Sequence, residues 1–147
     1  MTVIVGVDGS VGALTALEFA AGEAIRRRSG LRVIAVVQLP AYGITSIAGF
    51  VPPPPAVLIE DVRSAVQQHV DDIVRAREGI IDDLPITVEA LTGQPGEVLC
   101  EAAGNTDLLV VGRHSGAGSK TIGMLGSVGL HCVLHAVSPV TVVPRDL

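Results

Sequence analysis

Aromatic side chains are almost missing from this chain: of 147 residues two are Phe, one is Tyr and none is Trp. Nothing here favours a site that stacks bases on aromatic rings, and the core has to be assembled from Val, Leu, Ile and Ala. Positive charge is scarce as well. Ten Lys and Arg against 15 Asp and Glu leave a formal net charge of −5, the wrong sign for a nucleic-acid or anionic-membrane binder. Cysteine is limited to Cys100 and Cys132. They stand far apart within apolar helical patterns and read as two buried reduced thiols rather than a disulfide or a metal pair. The uncharged stretch 39–59 holds five prolines and cannot cross a membrane as a helix. The opening MTVIVGVD carries no basic leader with a cleavage site, which points to a cytoplasmic protein.

Hydrophobic residues make up 48 % of the chain, ample for one buried core, and the length fits a single domain over 1–147. Residues 2–7 form a β-branched run that breaks at Asp8-Gly9-Ser10, with Ser10 placed to cap a helix over 11–28. Arg26, Arg27 and Arg28 close that helix, where cations suit its negative dipole end better than they suit a nucleic-acid patch. A second strand covers 31–37. The connection 39–55 is irregular and ends in four prolines, read as a rigid spacer. An amphipathic helix over 57–78, an alternating edge strand over 84–91, a turn at Gly93-Gln94-Pro95-Gly96 and a short helix over 97–103 follow. The strand 108–111, a helix over 127–135 and a last strand over 139–143 complete the pattern. His69, His131 and His135 read as helix-surface histidines, and no metal site is expected.

Five strands alternating with four helices predict an α/β fold. It is an open, doubly wound, five-stranded parallel sheet, Rossmann-like, of order 3-2-1-4-5 with helices on both faces. Ligands in such sheets bind at the carboxyl ends of the strands flanking the switch in strand order. Asp8 lies at one such end. At the other, Gly112, Gly116, Gly118, Gly123 and Gly126 crowd the stretch DLLVVGRHSGAGSKTIGMLGSV, where backbone N–H groups and the following helix N-terminus suit a phosphate. The sequence implies a nucleotide, with Asp8 toward base or ribose and the glycine turn toward phosphates. A Walker A loop fails at two positions, Ser119 and His114, and the spacing Gly112 to Gly118 is not a dinucleotide fingerprint. No nucleophile–base–orienter set is visible, so no catalytic residue is expected.

VIVGVDGS at the start, LLVVG before the glycine turn, Gly116 followed by nine residues and Gly126-Ser127, and PVTVVP at the end make the whole chain resemble the universal stress protein family. That family's ATP signature is G-x2-G-x9-G-[ST]; here Gly112 and Gly116 enclose three residues instead of two. The resemblance implies that Gly6, Val7 and Asp8 hold adenine and that the Val36 backbone reads the base. It sets Val111 and Gly112 beside the ribose, Gly116, Gly126, Ser127 and Val128 around the phosphates, and Arg113, His114 and Ser115 as neighbours. It also implies ATP as ligand, with any Mg2+ held by the phosphates, and a homodimer through Val140–Val143. The function implied is a regulatory or protective stress module without efficient catalysis and with room for an unknown protein partner. The alternatives are a dimeric interaction module that binds no nucleotide and a slow ATP hydrolase.

Overall fold

A computed structural model describes residues 1–8, 11–39, 49, 53–81, 83–113 and 125–146. Its elements in order are β1 (Thr2–Val7), α1 (Val11–Arg27), β2 (Gly30–Val37), α2 (Pro55–Ala76), β3 (Ile86–Thr92), α3 (Pro95–Ala102), β4 (Leu108–Gly112), α4 (Ser127–His135) and β5 (Val140–Val143). The strands form one parallel sheet of order β3-β2-β1-β4-β5, the α/β arrangement the pattern predicts. The Ser10 cap and most of the 39–55 connection lie outside the described residues.

Strand period explains the two layers. Val3, Val5 and Val7 of β1, with Leu31, Val33 and Ala35 of β2, point to the face covered by α1 and α2. Ile4, Ile34, Leu109 and Val111 point to the opposite face, against α3 and α4. Both faces of the inner strands are thus apolar, as a parallel sheet clothed on both sides requires. α1 reaches the sheet with Ala13, Ala16, Ala20 and Ala24 buried, small side chains that let the helix lie close. α2 contributes Val66 and Val70.

Helix ends account for most boundary differences. α2 begins at Pro55, two residues ahead of the expected Val57, because Pro54 (φ −55, ψ 144) continues a polyproline-like approach and Pro55 fits the first helical turn. α3 likewise starts at Pro95 and not Glu97. α1 stops at Arg27, and Arg28 takes a left-handed φ of 51°. The arginine triplet is a helix terminus: Arg26 and Arg27 each bridge Glu23 at 2.9 Å. At the lower rim of the sheet Asp107 ties two strands together, its Oδ1 accepting the Thr2 N–H and its Oδ2 the Gly104 N–H, both at 2.9 Å. Arg32 joins layer to sheet, meeting Glu89 at 2.6 Å and donating to the Ala102 carbonyl at the end of α3 at 3.3 Å. Among the described residues no helix is long and apolar enough to cross a membrane.

Candidate functional site

The strand order reverses direction between β1 and β4. α1 leaves the tip of β1 toward one face, and α4 packs on the other. Their divergence opens a crevice above the two strand tips, because no helix can cross the gap between neighbouring strands whose connections run to opposite faces. A cleft of about 530 Å³ lies there, within the range of small-molecule sites.

Sequence-predicted residues meet in this cleft. Gly6, Val7 and Asp8 come from the tip of β1, Val36 from β2, Val111 and Gly112 from β4, and Ser127 and Val128 from the first turn of α4. The N–H groups of that first turn have no acceptor within the helix and carry the positive end of its dipole. Gly126 sits just outside as the N-cap, and its N–H is already donated to the Arg113 carbonyl at 2.8 Å. Arg113 is exposed and its own N–H donates to the Val143 carbonyl at 2.8 Å, so its backbone stitches β4 to β5 while its side chain does not line the cleft. His114, Ser115 and Gly116 lie outside the described residues.

A third wall was not foreseen. The start of α3, with Gln94, Pro95, Gly96 and Glu97, closes the cleft opposite α4, and Leu99 reaches its floor. Two glycines make this wall possible. A Cβ on Gly6 would lie 2.5 Å from Leu99 Cδ1, and a Cβ on Gly96 would lie 2.7 Å from His131 Cγ. Leu99 therefore rests directly on the β1 backbone, and the His131 ring rests on the α3 backbone. His131 is half-buried in the cleft wall and not simply a surface histidine, while exposed His135 stacks on it at a centroid distance of 4.3 Å and approaches the His131 carbonyl through Nδ1 at 3.0 Å. The turn at 93–96 was visible in the sequence, but nothing local says that its helix faces the β1 tip.

Among the described residues no group of three His, Cys, Asp or Glu could hold a metal ion. Ser127 and His131, one turn apart on α4, share no side-chain hydrogen bond. The chemistry on offer is recognition: apolar strand tips below, helix N–H donors on one side, and Asp8 and Glu97 on the rim.

The sequence model described as the universal stress protein family matches residues 1–144. The chain belongs to that family. Universal stress protein Mb2019 of Mycobacterium bovis is 30 % identical over 155 aligned positions, covering 98 % of this chain. The chain spans about half the length, 48 %, of the curated relatives it matches. Among solved structures, a universal stress protein in complex with cAMP superimposes with a TM-score of 0.65 at 24 % identity, covering 99 % of this chain and 98 % of that one. The universal stress protein from Archaeoglobus fulgidus in complex with dAMP gives 0.62 at 23 % identity and 97 % coverage of both. At these identities the likeness establishes the universal stress protein fold.

Proposed function

We propose that the cleft binds an adenine nucleotide, ATP in particular, and that the protein is a cytoplasmic, nucleotide-responsive stress module rather than an efficient enzyme. The observation that carries this reading is the meeting of the β1 and β4 tips with the first turn of α4 in one crevice. In that reading the apolar tips at Val7 and Val36 receive the base, Asp8 accepts a hydrogen bond from base or ribose, and the Ser127 and Val128 N–H groups face phosphate oxygens. Two family relatives of the same fold are complexes with cAMP and dAMP, which supports an adenine ligand. Mg2+ would enter on the phosphates.

Denaturing fresh protein and weighing the released small molecules, with calorimetric titration of Mg-ATP, tests the reading. Copurified adenine nucleotide or micromolar binding is expected. Ser127→Asp should abolish it with the fold intact, since a carboxylate in the first helical turn suits the dipole but repels phosphate. Asp8→Ala should weaken it. Absence of nucleotide by both routes overturns the proposal. Slow phosphate release that vanishes in the Ser127 variant would favour a hydrolase.

Self-association through β5 forms part of the same proposal. β5 is a sheet edge, and beside it α4 and its exit expose Leu130, Val133, Leu134 and Val137, the last two at 67 % and 70 %. An edge with no further partner strand among the described residues, together with these exposed apolar side chains, suits a second copy of the chain. Light scattering should report a dimer for the parent and a folded monomer for Leu134→Asp/Val137→Asp; a monomeric parent refutes it.

A further inference from the structure

The two cysteines come together in the fold. Cys132 on α4 is fully buried (0 % exposed), and Cys100 on α3 packs on the same apolar cluster while remaining half-exposed. Helix geometry explains the meeting. Gly96 lets the His131 ring sit against the α3 backbone. Cys100 follows Gly96 by four residues, on the same face, and Cys132 follows His131 directly. The close approach thus continues one turn along α3, and the two cysteines pack on one apolar cluster where α3 meets α4.

We propose that Cys100 and Cys132 are a redox-active pair that closes into a reversible disulfide joining α3 to α4. In a compartment that keeps thiols reduced, such a pair fits a transient, redox-responsive bond better than a permanent staple. Exposure assigns the order. A peroxide reaches half-exposed Cys100 first, the thiol and one peroxide giving a sulfenic acid and water. The Cys132 sulfur then bonds to the Cys100 sulfur, the S–O bond breaks, and the oxygen leaves as a second water with the thiol proton. Two thiols are oxidised, one peroxide is reduced to two waters, and a small thiol reductant reverses the bond by exchange. Burial and the neighbouring thiol push Cys132 up to about 12, so it stays protonated and silent toward external oxidant until Cys100 has reacted. The proposal is independent of whether the cleft holds a nucleotide.

The reduced chain is treated with hydrogen peroxide, then unfolded, and its thiols are counted and its mass measured. The expected result is loss of both thiols, a mass lower by two hydrogens, monomeric mobility on a non-reducing denaturing gel, and one cross-linked species of tryptic peptides 78–113 and 121–145. Dithiothreitol should restore both thiols. Cys132→Ser should accumulate a dimedone-trappable sulfenic acid at Cys100 that the parent does not. Two free thiols after oxidation, bonds only between chains, sulfinic acid at Cys100 beside an intact Cys132, or equal trapping in parent and variant would each overturn the proposal.

Discussion

Adding one methyl group to Gly6 should unseat α3 from the sheet. The new Cβ would stand 2.5 Å from Leu99 Cδ1 and 3.1 Å from Cδ2, and Leu99 is only 2 % exposed and packed in the α3 cluster, so its side chain can yield only by disturbing packed neighbours or tipping into the cleft. Overpacking of this kind costs about 1–3 kcal/mol. Reduced freedom of the unfolded chain on replacing glycine returns about 0.4–1 kcal/mol. Gly6→Ala is therefore expected to destabilise by about 1–2 kcal/mol, which lowers the urea midpoint by roughly 0.5–1 M at a slope of about 2 kcal/mol per M. Leu99→Ala alone removes the atoms in the way and leaves a cavity, at about 2–5 kcal/mol. In the double variant the Gly6 methyl meets no clash and fills part of that cavity, so the pair should be no less stable than Leu99→Ala, a coupling of about 1–2 kcal/mol. Urea unfolding followed by far-UV circular dichroism measures all four corners of the cycle. Strict additivity, or a neutral Gly6→Ala, would refute the claim that Leu99 rests on the β1 backbone.

Asp107→Ala should cost about 1–3 kcal/mol, because the Thr2 and Gly104 N–H groups that it accepts lose charge-assisted partners; Asp107→Asn should recover part of this in the same unfolding assay. A further expectation concerns alkaline pH. Cys132 is raised from an ordinary 9.0 to about 12 by burial first, with Cys100 adding to it, so the folded state keeps a proton that the unfolded state releases. Its contribution is complete below about pH 9 and is lost as pH rises toward 12, with a slope of at most about 1.4 kcal/mol per unit. Denaturant titrations between about pH 8 and 10.5 should show a shallower alkaline decline for Cys132→Ala than for the parent; identical slopes would count against the burial of that thiol.

The strand pattern was legible because each inner strand is apolar on both faces, and the crossover rule then leaves few sheet orders to choose from. The two strand tips of the cleft could be read for the same reason: Asp8 and Gly112 mark where periodic runs stop. Gln94, Glu97, Leu99 and His131 could not. Each looks locally like part of a turn or an ordinary helix, and its place in the cleft depends on how close α3 and α4 approach, which Gly6 and Gly96 set through contacts with residues far away in sequence. Cys100 and Cys132 escaped for that reason too: two separate helical patterns cannot reveal that both residues pack on one apolar cluster. Boundaries at Pro55 and Pro95 were displaced by two residues because each proline begins its helix instead of preceding it.

The two coats of the sheet are unequal. On one side lie α1 with 17 residues and α2 with 22; on the other lie α3 with 8 and α4 with 9, over a smaller buried cluster. Fluctuations that expose amide hydrogens to exchange cost least where the fewest apolar contacts must part, so, judged on the described residues, the α3–α4 side should be the first to open. The cleft is walled by that side. A ligand bound there would press against that layer, and hydrogen exchange should then slow in the two short helices more than on the α1–α2 side. A ligand held there would act as a brace, stiffening the surface from the cleft rim toward the exposed apolar residues beside β5.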